Sequence, residues 1–112
     1  MIAPVYTENP MREKLTTLEA AATAVKTGSQ LVMSANLQRA PMALLRQLLR
    51  QGTQKLRVIG VVGGDLNLDF LVGAGMVDVL DTCSVTLGEF ARTGPNFARY
   101  TIANRLRVLD NT

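Results

Sequence analysis

The sequence predicts an α/β fold, a parallel sheet of βαβ units with helices on both faces. Three observations point there. Short apolar runs bounded by turn residues alternate with stretches of helical periodicity along the whole chain. The clearest run, Leu56 to Val62 (LRVIGVV), is rich in β-branched residues and apolar almost throughout, as befits a strand covered on both sides. Strand-helix-strand order then imposes parallel pairing through right-handed crossovers.

Residues 1 to 14 carry Pro4 and Pro10 and no periodicity, so they read as an arm ahead of a single domain over 15 to 112. Thr16-Thr17-Leu18-Glu19 has the form of a capping box. Leu18, Ala21, Ala22 and Val25 follow at helical spacing up to a glycine stop at Gly28. Gln30 to Ala35 reads as a buried strand and Asn36 to Ala40 as the loop after it. Pro41 takes the first turn of a second helix, whose stripe is Met42, Leu45, Leu48 and Leu49, with Arg46, Gln47 and Arg50 outward. After Leu56 to Val62 comes Gly63-Gly64-Asp65, then a short helix from Leu66 to Gly73 or Gly75. A strand over Val77 to Val85, a helix over Pro95 to Asn104 and a strand over Leu106 to Leu109 complete the pattern.

Composition excludes several classes of function. The chain has 112 residues, 47% of them hydrophobic and 19% charged, enough for one packed core. It has no histidine, which removes Ser-His and Cys-His nucleophile pairs and every histidine-containing zinc site. A net charge of +3 with 4% aromatic residues argues against a nucleic-acid partner. No apolar stretch approaches the roughly 20 residues of a membrane span, and residues 1 to 15 show no signal-peptide core. The lone Cys83 lies in an apolar run and is expected as a small buried hydrophobe in a cytoplasmic protein.

In open parallel sheets ligands bind outside the carboxyl ends of the strands. That singles out the loops Ser34 to Ala40, Gly63 to Asn67 and Leu87 to Pro95. In the first, Arg39 stands beside Asn36 and Gln38, where a guanidinium can fork onto a carboxylate. In the second, the amides of Gly63 and Gly64 can approach an anion, although the spacing fits no dinucleotide or P-loop fingerprint and a plain tight turn is the simpler use. In the third, Glu89 is the carboxylate between Gly88 and Gly94, in place as a nucleophile or as a merely solvated charge. Asp65 and Asp69 could pair, but Asp65 is better placed to cap the helix after it. Residue chemistry alone identifies no catalytic centre.

Four segments in uninterrupted order, LTTLEAAATAVKTGSQLVMSAN, RAPMALLRQLLRQGTQKLRVIGVVGG, LDFLVGAGMVDVL and GEFARTGPNFARY, resemble the A-type subunit of family I CoA-transferases, in its glutaconate CoA-transferase-like branch. The resemblance implies transfer of CoA between an acyl-CoA and a carboxylic acid, with the CoA thioester a substrate and no tightly bound cofactor. It implies binding of that substrate by Ser34, Asn36, Gln38, Arg39, Gly63, Gly64 and Glu89. Family members act through a glutamate carried by a B-type subunit, so the catalytic group is expected on a partner and Glu89 does not inherit its role. The stretch Met33 to Leu37 departs from the family by lacking glycine. The sequence stops at Thr112, about half or less of a usual A-type subunit. The chain is therefore expected to be truncated, with an unfinished sheet edge and pairing to a B-type subunit or to its own copies. The alternative is a non-catalytic, self-associating α/β module that binds a small acid or a protein.

Overall fold

The computed structural model describes residues 13–34 and 39–110. Most of the expected amino-terminal arm lies outside them, as do Asn36 and Gln38. Helix α1 spans Leu18–Ala22, α2 Met42–Arg50, α3 Leu66–Gly73 and α4 Pro95–Ile102. Strand β1 spans Gln30–Ser34, β2 Leu56–Val61, β3 Val77–Asp81 and β4 Arg107–Leu109.

The four strands lie in the order β1-β2-β3-β4, each parallel to the one before. The α/β class and its parallel βαβ units are as the sequence predicts. The expectation of helices on both faces is corrected. Right-handed crossovers that always step in one direction put their helices on one face of the sheet. Helix α1 packs on α2, α2 on α3 and α3 on α4, as a single layer. Leu56 and Val58 of β2 and Leu80 of β3 point into that layer and meet Leu45 and Leu48 of α2 and Leu68, Leu71 and Val72 of α3. The alternate residues line the other face, where Val32 is 62% and Val61 51% exposed. Register aligns Val32, Ile59, Asp81 and Leu109 in one row and Gln30, Arg57, Val79 and Arg107 in the next. Arg57 and Asp81 approach to 3.8 Å across these rows.

Several boundaries move for identifiable reasons. Helix α1 is capped by Thr17, whose hydroxyl accepts from the Ala20 amide at 3.1 Å, so the capping residue is one later than the Thr16 box implies. It stops at Ala22 and does not run to Gly28. Three hydrogen bonds draw the chain out of the helix: the Lys26 amide donates to the Ser29 hydroxyl at 2.9 Å, and Gln51 Nε2 donates to the carbonyls of Ala22 and Val25 at 2.9 and 3.2 Å. Pro41 sits at the N-cap of α2, one residue before the first turn. Leu49, placed in the buried stripe by spacing, is 42% exposed, while Leu44 packs against the core. Strand β3 ends at Asp81, because the Thr82 hydroxyl donates to the Ser84 carbonyl at 3.2 Å and turns the chain; Val85 rejoins the sheet through one bridge to Gly64. Cys83 therefore lies on a turn and is exposed, which corrects the expectation of a buried thiol. Helix α4 ends at Ile102, where Asn104 adopts a φ of 55° and the Arg105 amide reaches back to the Tyr100 carbonyl at 2.9 Å. Ile102 is 86% exposed; Phe97 and Tyr100 pack inward.

Candidate functional site

The end of β1, the β2–α3 loop and the start of α4 converge on the first turn of α3. Asp65 starts it, its carboxylate accepting from the Leu66 amide at 2.7 Å, which is the capping role the sequence suggests. Asn67 is fully buried. Its Oδ1 accepts from the amides of Leu68 at 2.9 Å and Asp65 at 3.3 Å, and its Nδ2 donates to the Ser34 carbonyl at 3.0 Å. One amide side chain thus fastens the end of β1 to the β2–α3 loop. Asp69, 3% exposed, turns to the other side. Its Oδ1 accepts from the Phe97 amide at 2.8 Å, and its Oδ2 accepts from Asn96 Nδ2 at 3.0 Å and from the Asn96 amide at 3.4 Å. Helix α4 has glycine at its N-cap, so this carboxylate supplies the cap its own sequence lacks and is drawn to the positive end of the helix dipole.

Ser34 ends β1 with its carbonyl engaged and its residue exposed. Arg39 is exposed ahead of α2. Gly63 borders the turn after β3: a Cβ there would lie 3.0 Å from Ser84 Oγ and 3.5 Å from Cys83 Sγ. The amide of Gly64 is committed within the chain, donating to the Ser84 carbonyl at 2.7 Å, while its own carbonyl accepts from Thr86 at 3.0 Å. Gly64 is also needed for packing, because a Cβ would come within 2.5 Å of buried Leu68 Cδ2. The structure therefore brings Ser34 and the Gly63-Gly64 loop together through Asn67, and the Gly63 loop to Cys83 and Ser84. Glu89 is exposed on the turn from Leu87 to Ala91, and its carboxylate makes no hydrogen bond or ion pair among the described residues. Arg46 and Arg50 are exposed, and Arg50 reaches only Gln47, at 3.4 Å, as a solvated face should.

Sequence reasoning missed Asn67 and Asp69 as organisers of this end. The one available signal was two polar residues inside the apolar segment LNLDFLV, in a helix with buried residues on more than one side. At the opposite end, a depression of about 330 Å³ is lined by Thr23, Val25, Lys26, Thr27, Gln51 and Thr53. The Gln51 amide in it is already spent on Ala22, Val25 and, at 2.8 Å, Thr53 Oγ1. No described helix is long and apolar enough to cross a membrane.

No protein-family model matches the chain. No curated protein matches it either. Solved structures do. A cysteine-to-serine variant of the decarboxylase AibA/AibB superposes with a TM-score of 0.73 at 27% identity, over 87% of this chain and 38% of that one. The glutaconate coenzyme A-transferase of Acidaminococcus fermentans superposes with a TM-score of 0.80 at 22% identity, over 89% of this chain and 32% of that one. The chain spans about a third of the length of either matched chain and has a CoA-transferase-like fold.

Proposed function

We propose that the chain is the A-type-subunit-like portion of a cytoplasmic CoA-transferase, which holds an acyl-CoA and a carboxylic acid at the carboxyl ends of β1, β2 and β3. The observation that carries this reading is the gathering of the end of β1, the β2–α3 loop and the start of α4 around one buried turn of α3, on a sheet with the fold of a CoA-transferase. Arg39, with Asn36 and Gln38 close to it in the sequence, supplies donors for a carboxylate, and Ser34 and Gly63 line the approach. Gly64 contributes shape, since its amide is already taken. No histidine is present to serve as a general base, and among the described residues Glu89 has no partner of the kind that activates a nucleophile. A glutamate supplied by a B-type subunit, forming acyl and CoA thioester intermediates, completes the chemistry in this reading.

The test is native mass spectrometry of the purified chain with a panel of acyl-CoAs and short dicarboxylic acids, followed by transfer assays with a B-type chain added. A stoichiometric CoA adduct weakened about tenfold by Arg39→Ala, with transfer only in the two-chain mixture, is the expected result; tenfold corresponds to one lost charge-assisted contact of about 1.4 kcal/mol. Carbon dioxide release from an acyl-CoA, without transfer, moves the chemistry toward that of the AibA/AibB decarboxylase. Transfer by the isolated chain overturns the assignment of the glutamate to a partner.

A second reading has its own support. The face of the sheet opposite the helices exposes Val32 and Val61, with Ile59 and Val79 on the same face only partly covered. A non-catalytic module that self-associates through this face accounts for that surface without any ligand. An oligomer that binds no CoA in the same spectra selects it.

A further inference from the structure

We propose that Asn67 and Asp69 are positioning residues that fix the end of β1, the β2–α3 loop and the start of α4 relative to one another, so that ligand binding at this end of the sheet depends on two side chains that never touch the ligand. This rests on the reading of that end as the substrate site.

Residues two apart on a helix point in nearly opposite directions. Asn67 and Asp69 use that geometry. From one turn of α3, Asn67 reaches the Ser34 carbonyl at the end of β1, and Asp69 reaches Asn96 and Phe97 at the start of α4. The loop between them, Gly63 to Leu66, is bound by Asn67 through the Asp65 amide. Each bond spans 27 to 33 residues of sequence, except the local ones within the turn. Helix capping alone does not explain Asn67, because Asp65 already caps α3 and the Asn67 Nδ2 donor leaves the helix altogether. Neither polar group is left unsatisfied, and among the described residues no buried side-chain nitrogen or oxygen is. Fully satisfied buried polar groups fix one arrangement, since any slippage strands a donor or acceptor in a low dielectric.

The experiment compares the whole chain with Asn67→Asp, Asp69→Asn and Gln51→Ala, by amide hydrogen exchange and by calorimetric titration with CoA. Asn67→Asp retains the acceptor for the Leu68 and Asp65 amides but sets a carboxylate oxygen against the Ser34 carbonyl. Exchange is expected to rise about tenfold in peptides covering residues 31 to 40, with β2 and β3 still protected, and CoA affinity to fall about tenfold. Asp69→Asn turns an amide donor toward Asn96 and is expected to loosen residues 87 to 97. Combining it with Asn96→Asp reverses donor and acceptor between the two side chains and is expected to restore most of both readouts, the longer 3.4 Å contact from the residue-96 amide staying lost. Gln51→Ala removes hydrogen bonds at the other end of the sheet and lowers stability without moving either readout. Exchange in residues 31 to 40 that is unchanged in Asn67→Asp, or CoA affinity that follows melting temperature across all variants including Gln51→Ala, overturns the proposal. If the wild type binds no CoA, the functional reading fails, and the exchange data alone decide whether these side chains fix the loops.

Discussion

Gly94 has no room for a methyl group: a Cβ there would run into the Asp69 carboxylate and come within 2.9 Å of Val85 Cγ1. Both neighbours are buried and already bonded or packed, so neither can yield cheaply. Gly94→Ala is expected to cost about 2 kcal/mol of unfolding free energy, in the range of small overpacking changes, read by urea denaturation. Cys83 makes the opposite point. Its thiol is exposed, against the Val62 carbonyl and 3.7 Å from Ser84 Oγ. Native protein should therefore take up one equivalent of iodoacetamide at Cys83 without denaturant, whereas a buried thiol would require unfolding. Hydropathy placed Cys83 inside a strand because it registers neighbours in sequence and not the Thr82 hydroxyl bond that ends the strand. Asn67 and Asp69 were illegible for the same reason on a longer scale, their partners standing about thirty residues away. Asp65 was legible, because its partner is the next residue.

Among the described elements, periodicity found each helix and strand and erred where a side-chain hydrogen bond competed with it. Helix α1 was cut short by Gln51, 26 and 29 residues away from the carbonyls it binds. Helix α2 shows how little spacing distinguishes neighbours: Leu48 is fully buried and Leu49 is 42% exposed. Leu48→Ala is expected to cost about 3 kcal/mol and Leu49→Ala less than about 1 kcal/mol, measured in the same urea series. Near-equal losses would mean that the outer side of α2 is covered in solution. On the sheet, the Arg57 and Asp81 side chains are 47% and 22% exposed, so the pair is screened by water. Asp81→Asn should change stability by no more than about 1 kcal/mol, and less as salt is raised.

For the molecule as a whole, the parallel sheet was legible and its one-sidedness was not. An apolar run such as LRVIGVV states that a strand is able to be covered twice; strand order decides whether it is. The open face should make the chain associate with rising concentration. The double change Val32→Glu with Val61→Glu is expected to suppress that in sedimentation velocity while leaving unfolding free energy within about 0.5 kcal/mol. The same order has a temporal side. Because each strand lies beside the one that precedes it in the chain, no strand waits for a later one to fill a gap between its neighbours. The sheet can be laid down from β1 to β4 as the polypeptide leaves the ribosome, each crossover helix closing over the strands already in place.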